Sequence, residues 1–230
     1  MTPGSPLIIA LDLDSAGAAR KLVRDLGDSA SFYKVGMELY AAAGMEFVRE
    51  LIGEGKQVFL DQKYYDIGET VKRATSVVAR SGARFLSVHA HAAVVRAAAE
   101  GKGDSALRVL AVTVLTSFDQ SYLERDGHLL SVPDLVALRV RNAIEAGADG
   151  IVCSPLEVAR VRESAGPKAI LVTPGVRSAG AAAGDQKRVA TPAGAIRNGA
   201  NYLVIGRQVT RAADPKAETA RILEEIAGVA

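Results

Sequence analysis

The stretch NGANYLVIGR, residues 198–207, contains in ten residues the unit from which the chain is built. Gly199 stands where a helix should end, because glycine readily adopts the left-handed conformation that terminates helices. The apolar, β-rich run Tyr202–Ile205 follows it, as expected of a buried strand. The same order recurs in SGARFLSVHA at 81–90 and in AGADGIVCS at 146–154. The repeating unit is therefore a strand that alternates with a helix.

Eight such strands can be placed along the chain, separated by longer segments with the apolar spacing of helices. Most are continuous apolar runs, which is typical of parallel strands buried on both sides. The predicted strands are Leu7–Asp12, Phe32–Gly36, Val58–Asp61, Phe85–His89, Val109–Leu115, Gly150–Cys153, Ile170–Thr173 and Tyr202–Ile205.

Eight βα units predict an α/β fold of the (β/α)8 TIM-barrel type, with residues 1–230 forming a single domain. The length is close to the roughly 250 residues typical of this fold. The alternative is an open, doubly wound sheet. A dinucleotide-binding sheet of that kind carries a G-x-G-x-x-G turn after its first strand, and this sequence has none there, so we favour the barrel.

Composition limits the classes of partner. The net charge is only +2 and no basic stripe is interleaved with aromatic residues, so we expect no nucleic-acid partner. The first apolar run stops at Asp12, far short of a signal or membrane segment, so we expect a cytoplasmic protein with no membrane partner. The single cysteine, Cys153, lies in an apolar run and is predicted to be a buried core thiol.

Polar residues recur at the predicted carboxyl ends of the strands, where barrels of this kind place their active sites. Charged groups at the ends of apolar strands cost several kcal/mol to desolvate unless they are paired. A ligand site explains so many of them better than a structural role does. These residues are Asp12, Lys34, Asp61, Lys63, His89, Thr116, Arg177, Gly206 and Arg207.

The densest polar group is the run from Asp61 through Lys63 to Asp66. On an extended chain Asp61 and Lys63 point to the same face, so both should enter the mouth of the barrel. Lys63 would then be an ammonium donor among carboxylates, in a site largely closed to water. A solvated charge cluster is the competing interpretation, and the position of the run at a strand end argues against it.

The last third of the sequence predicts an anion site. Arg177 follows the seventh strand and Gly206 and Arg207 follow the eighth, where barrels commonly bind phosphate. Backbone N–H groups near Gly206 and the Arg207 guanidinium are suited to a dianion. The spacing of His89 and His91 also raises the possibility of a zinc site. Only His128 remains as a third histidine, in a predicted loop, so we predict no metal site.

Several motifs resemble one family, the bacterial orotidine 5′-monophosphate decarboxylases. They are ALDLD at 10–14, the strand with Lys34, the DxKxxDI run from Asp61 to Thr70, VTVLTS at 112–117, and the stretch from Thr173 to Pro215 with its GDQKR loop. The resemblance spans nearly the whole chain. It implies decarboxylation of orotidine 5′-monophosphate to UMP and CO2, the last step of pyrimidine nucleotide synthesis, without a metal or organic cofactor.

The resemblance also implies roles for individual residues. Lys63 would donate the proton to C6 beside Asp61, while Asp66, Ile67 and Thr70 would reach the neighbouring site of a homodimer. The remaining residues would bind substrate: Asp12 and Lys34 the ribose, Thr116 and Pro174 the pyrimidine, and Arg177, Gln186, Gly206 and Arg207 the phosphate. Residues 175–186 would form a lid.

Two other functions stay open from the sequence. The first is a metal-assisted decarboxylase or aldolase that acts on sugar phosphates, which would need a divalent ion and should lack Thr116 and the GDQKR loop. The second is a non-catalytic barrel that binds phosphate ligands. Such a protein should have lost Lys63, Asp61 or Asp66.

Overall fold

The fold is a closed barrel of eight parallel strands, seen in a computed structural model that describes residues 5–179 and 190–229. Each strand pairs with the next along the chain, and the eighth pairs with the first. The predicted barrel is confirmed. The strands are β1 (Leu7–Ala10), β2 (Phe32–Gly36), β3 (Gln57–Tyr64), β4 (Phe85–His89), β5 (Arg108–Val112), β6 (Gly150–Val152), β7 (Ile170–Thr173) and β8 (Tyr202–Ile205).

Four strands end at other residues than predicted: the first ends at Ala10 rather than Asp12, the sixth ends at Val152 rather than Cys153, and the third and fifth differ by three residues each. The third strand runs three residues beyond Asp61, and the fifth ends at Val112 rather than at Leu115. Charged residues had suggested an early end for β3, whereas it continues through them to Tyr64. Apolar character had suggested a longer β5, but Val114 and Leu115 belong to the loop that follows it.

Ten α-helices lie within the described residues, and they form the layer around the barrel. They are α1 (Ala16–Leu26), α2 (Met37–Gly53), α3 (Gly68–Ala79), α4 (Ala92–Lys102), α5 (Gln120–Arg125), α6 (Val132–Glu145), α7 (Val158–Ala165), α8 (Pro192–Arg197), α9 (Arg207–Thr210) and α10 (Pro215–Ala227). A 3₁₀ turn at Gly27–Ser29 follows α1, and Gly44 interrupts α2 with a left-handed φ of 61°. None of the helices described is long and apolar enough to cross a bilayer.

The glycines at the helix-to-strand boundaries of the repeating unit have the predicted left-handed conformation. Gly82, Gly147 and Gly199 have φ angles of 85°, 97° and 104°, and each lies shortly before a strand. A side chain is strained in this region of φ, so glycine allows the chain to turn directly from helix into strand.

Side chains on the two faces of each strand enter different cores. One face packs against the helices, and the other fills the barrel with a compact cluster that includes Phe32, Phe59, Phe85 and Leu110. Side chains alternate along a strand, so the residues two positions after these aromatic residues also point into the barrel. They lie nearer the carboxyl ends of the strands. These residues are Lys34 after Phe32, Asp61 after Phe59 and Ser87 after Phe85. The barrel interior therefore ends in a polar layer.

Candidate functional site

A cavity of about 610 Å³ opens at the carboxyl ends of the strands. Its wall contains nine of the residues that the sequence predicted for a site: Asp12, Lys34, Asp61, Lys63, Thr116, Pro174, Arg177, Gly206 and Arg207. The same wall carries Glu38 and Arg211, so five basic side chains face three acidic ones. The cavity is therefore suited to an anionic ligand with polar groups at more than one position.

Lys34 lies between two carboxylates. Its Nζ is 2.7 Å from Oδ1 of Asp12 and 3.6 Å from Oδ2 of Asp61, and the residue is only 8% exposed. Strand pairing explains the arrangement, because Ala10 is opposite Lys34 and Gly36 is opposite Asp61. A Cβ at Gly36 would lie 2.9 Å from the Lys34 Nζ, so glycine leaves the ammonium the room it needs.

Asp61 and Lys63 form the second ion pair of the site. The Lys63 Nζ is 2.9 Å from Oδ1 of Asp61, and the side chain of Lys63 remains 31% exposed to the cavity. The Ser87 hydroxyl donates a hydrogen bond of 2.7 Å to the same Asp61 oxygen. The carboxylate of Asp61 is thus surrounded by the donors of Lys34, Lys63 and Ser87.

The backbone at Lys63 is not the extended strand that the sequence analysis assumed. Leu60 pairs with Leu86 and Tyr64 with Val88, so three residues of β3 lie opposite the single residue Ser87. Among the described residues, Lys63 is the one non-glycine with a left-handed φ, of 49°. Such a conformation costs about 1–2 kcal/mol, and the Lys63 N–H donates to the Ser87 hydroxyl at 2.9 Å. Ser87 therefore stabilises both the bulge and the carboxylate.

Neighbouring opposite charges keep Lys34 and Asp61 ionised. Burial alone would lower the pKa of Lys34, but the carboxylates of Asp61 and Asp12 outweigh it and raise that pKa above its ordinary value. Burial would likewise raise the pKa of Asp61, whereas Lys34, Lys63 and the hydrogen bond from Ser87 keep it below its usual range. Lys34 and Asp61 are therefore both stabilised in their charged forms.

Basic groups occupy the opposite side of the cavity. Arg177 follows β7, and Gly206 and Arg207 follow β8. In a closed barrel of eight strands β7 lies four strands from β3, so Arg177 faces Lys63 across the mouth. Burial and the nearby charge of Arg207 lower the pKa of Arg177. Guanidinium groups in this part of the wall favour an anionic ligand.

The floor between the two charged sides is apolar. Val112 and Leu115, from β5 and the loop after it, approach Pro174 after β7, and Thr116 adds a hydroxyl to the wall. Ala10, Val152 and Val204 complete the surface below. An apolar floor with one polar edge suits a flat, partly polar ring. The buried Cys153, 1% exposed as predicted, also belongs to this wall.

Four predicted site residues are not found in this cavity. Asp66, Ile67 and Thr70 lie beyond β3, at the start of α3, and none of them lines it. Asp66 accepts a hydrogen bond of 2.6 Å from the Ile67 N–H, and Ile67 is 77% exposed. Gln186, and the part of the predicted lid from 180 to 186, lie outside the described residues.

The histidines considered for a metal site have other contacts. The rings of His89 and His91 lie 5.6 and 4.8 Å from the Tyr65 ring. Burial, as the largest cause, lowers the pKa of each. Across residues 5–179 and 190–229, no three His, Cys, Asp or Glu residues are grouped as metal ligands would be.

Sequence reasoning missed Ser87, Glu38 and Arg211. The sequence could have indicated Ser87, because it is the one hydroxyl residue in the strand Phe85–His89. It also lies two residues after Phe85, whose side chain faces into the barrel. Glu38 and Arg211 gave no such signal, because Glu38 lies in the first turn of α2 and Arg211 directly after α9, where polar residues are mostly solvated.

We expect Ser87→Ala to weaken the site through Asp61. The variant removes a donor to a buried carboxylate and an acceptor for the Lys63 N–H, so activity should fall by about 10–100-fold, the effect of 1.4–2.8 kcal/mol. A depressed pKa stabilises the fold at pH values above the unfolded pKa, and this stability is lost as pH falls through the folded pKa. Without Ser87 the folded pKa of Asp61 rises, so acid unfolding should begin at a higher pH.

Ser87→Thr keeps the hydroxyl and serves as the control for this prediction. Its acid-unfolding midpoint, followed by circular dichroism, should stay near that of the wild type. Equal midpoints for wild type and Ser87→Ala would show that the hydroxyl does not act on Asp61.

A family model described as orotidine 5′-phosphate decarboxylase / HUMPS matches residues 5–222 of this chain. Among curated proteins, the orotidine 5′-phosphate decarboxylase of Rhodopseudomonas palustris strain BisA53 is 52% identical over 222 residues, covering 96% of this chain and 94% of the relative. The protein of the same name from Caulobacter sp. strain K31 is 51% identical and aligns over 100% of both chains.

Solved structures give the same result for the fold. The crystal structure of orotidine 5′-phosphate decarboxylase from Lactobacillus acidophilus superposes with a TM-score of 0.86 at 36% identity, covering 96% of this chain and 98% of that one. An uncharacterised conserved protein from Geobacillus kaustophilus superposes with a TM-score of 0.83 at 37% identity, covering 96% and 100% of the two chains.

Proposed function

Because the chain belongs to the orotidine 5′-phosphate decarboxylase / HUMPS family, we propose that it converts orotidine 5′-phosphate to UMP and CO2, the last step of de novo pyrimidine synthesis. The observation that carries this proposal is the separation of two charged groups across one cavity. Lys63 and Asp61 are in contact on the side of β3, and Arg177 and Arg207 lie on the side of β7 and β8. A ligand that uses both must be elongated, with a phosphate at one end and the reacting carbon at the other.

The phosphate end is assigned to Arg177, Gly206 and Arg207. Guanidinium groups make charge-assisted hydrogen bonds to phosphate oxygens, and the Gly206 N–H adds a backbone donor. Gln186, outside the described residues, is proposed as a further phosphate ligand. Binding energy from this remote end is available to exclude water from the reacting carbon.

The sugar and the base are assigned to the middle of the cavity. Asp12 is half exposed and its carboxylate is paired with Lys34, so the two can accept from and donate to neighbouring ribose hydroxyls. The apolar floor under Pro174 suits the pyrimidine ring, with Thr116 at its polar edge. Each part of the nucleotide then meets groups of matching chemistry.

The reaction follows from the Lys63–Asp61 pair. When the bond between C6 and the carboxylate breaks, CO2 leaves and the electron pair stays on C6, in the plane of the ring. That pair cannot spread into the π system, so a fixed positive charge beside C6 stabilises it as it forms. Lys63 supplies this charge and then transfers a proton from Nζ to C6, giving UMP. No metal ion or organic cofactor takes part in these steps.

Asp61 has two proposed effects in this scheme. It fixes the Lys63 ammonium at 2.9 Å, and its negative charge lies on the side of the departing carboxylate. The pKa of Asp61 lies below its usual range, which favours the ionised form that both effects require. Protonation of Asp61 would release Lys63 and remove the repulsion.

The simplest test is product analysis with the purified protein. Incubation with orotidine 5′-phosphate should yield UMP and CO2 in equal amounts, and orotidine without the phosphate should react far more slowly. Failure to form either product would overturn the proposal and direct attention to metal-assisted chemistry on sugar phosphates.

Asp66, Ile67 and Thr70 are proposed to complete the site of a second subunit in a cytoplasmic homodimer. Asp66 and Ile67 follow Lys63 closely in sequence yet do not line the cavity of their own chain, and Ile67 is exposed beside Tyr65, which is 63% exposed. Apolar groups on a surface are often covered by a partner. The short run that supplies Lys63 to one site would then supply Asp66 to the other.

Mixing two inactive variants tests this shared site. Lys63→Ala and Asp66→Ala homodimers should each be nearly inactive, whereas a heterodimer has one site with both residues intact. Random exchange of subunits makes half of the dimers mixed, so activity should recover to about a quarter of the wild-type value. No recovery, with subunit exchange verified by mass spectrometry, would mean that Asp66 acts within its own chain or not at all.

A further inference from the structure

Arg177, in the loop after β7, and Arg207, the first residue of helix α9, are joined through the residues that follow them. The Ser178 N–H donates to Oε1 of Gln208 at 3.2 Å, and Nε2 of Gln208 donates to the Ser178 hydroxyl at 3.0 Å. The two hydrogen bonds run in opposite directions between the same two residues, so they restrict rotation as well as separation. We call this pair the Ser178–Gln208 clamp.

Helix α10 holds both residues of the clamp through hydrogen bonds. The Ser178 hydroxyl donates to Oε2 of Glu225 at 2.6 Å, and Gln208 donates to Oε1 of Glu218 at 2.7 Å. Arg221, between these two glutamates on the helix, donates to both oxygens of Glu218 at 2.9 and 2.6 Å. Positions 218, 221 and 225 share one helix face. The loop after β7 and helix α9 are therefore both fixed to one rigid element.

The side-chain polar groups of the clamp all have hydrogen-bond partners. Gln208 donates to Ser178 and Glu218 and accepts from the Ser178 N–H, while the Ser178 hydroxyl donates once and accepts once. Ser178 is only 3% exposed. A partly buried network whose side chains are satisfied rigidifies the backbone around it. Neither Ser178 nor Gln208 lines the cavity, so the network acts through its neighbours.

The clamp residues each follow directly in sequence one of two guanidinium side chains of the cavity wall, Arg177 and Arg207. Arg177 and Arg207 are close enough for the charge of one to disfavour the charge of the other. If the loop after β7 and helix α9 could move independently, the two guanidiniums would have no fixed separation, and a ligand would have to fix it on binding. A site already held in its bound geometry avoids that cost on binding.

We propose that the Ser178–Gln208 clamp is a positioning device that sets the separation of Arg177 and Arg207 and thereby the affinity for a phosphomonoester. This inference rests on the proposed function, in which these two arginines bind the 5′-phosphate. It adds two residues that touch no substrate but determine how tightly its phosphate is bound.

Titration calorimetry with UMP and with uridine tests the clamp. Ser178→Ala and Gln208→Ala should each weaken UMP binding by about tenfold, the effect of 1.4 kcal/mol, and leave uridine binding unchanged. Because either change opens the clamp, the double variant should bind UMP no more weakly than the single variants do. In turnover, KM should rise more than kcat falls.

Controls separate positioning from loss of structure. Ser178→Thr keeps the hydroxyl and should retain UMP affinity, and Ser164→Ala, on α7, removes a comparable serine hydroxyl that donates to Arg160 O. Equal UMP affinity in all variants, or equal losses for UMP and uridine, would overturn the clamp. If the wild type binds no UMP and forms none from orotidine 5′-phosphate, the proposed function itself has failed.

Discussion

Replacing Lys63 by alanine is expected to reduce turnover of orotidine 5′-phosphate by at least about 10³-fold, because one group supplies both the stabilising charge and the proton. The ammonium lies 2.9 Å from Asp61 at the end of a bulged strand and faces the cavity. No other residue described in that wall offers an ammonium from the same position, since Lys34 is enclosed by Asp12 and Asp61.

Binding of UMP should change by less than about tenfold in this variant, because the phosphate and sugar contacts remain and only transition-state interactions are lost. Lys168→Ala is a matched control, because Lys168 is an exposed lysine just before β7, at the opposite end of the barrel. Turnover by Lys63→Ala at more than about a tenth of the wild-type rate would contradict its role as proton donor.

Replacing Asp61 by asparagine is expected to have the second largest effect. An amide preserves size but removes the charge that Lys34 and Lys63 share, and its N–H groups would face ammonium donors. We expect kcat to fall by at least about 100-fold as Lys63 loses its orientation. Removing one partner from a buried pair costs about 3–5 kcal/mol, and the remaining pairing of Lys34 with Asp12 should reduce this to about 2 kcal/mol.

The exposed Lys21–Asp25 pair provides the control for this variant. Asp25→Asn removes an ion pair of the same chemistry on a solvated helix surface, where such pairs contribute about 0.2–1 kcal/mol. Urea unfolding should therefore separate the two variants clearly, and only Asp61→Asn should lose activity. Wild-type kcat in Asp61→Asn would contradict the proposed orientation of Lys63 by a charged carboxylate.

The fold could be predicted from the sequence because it depends on short-range patterns. Gly82, Gly147 and Gly199 mark where helices end, and the apolar runs after them mark parallel strands. Once the barrel was predicted, the residues at the strand ends followed from its geometry, so nine of the predicted site residues line one cavity. Periodicity and topology were sufficient for this part of the site.

Other features depend on contacts that no local pattern encodes. The left-handed φ of Lys63 arises because three residues of β3 lie opposite one residue of β4. A glycine at this position would have indicated such a φ in the sequence, but a lysine does not. Ser178 and Gln208 are thirty residues apart, one in a loop and the other in helix α9, so nothing in the sequence pairs them. Asp66 and Ile67 need a second subunit for their proposed role.

The most direct measurement of the central claim is the absorbance change of orotidine 5′-phosphate on mixing with wild-type protein in excess chelator. Our account predicts rapid and complete conversion to UMP, unaffected by the chelator, because Lys63 and its neighbours supply all the chemistry. Absence of conversion by intact, folded protein, or conversion only after a divalent metal is restored, would contradict it.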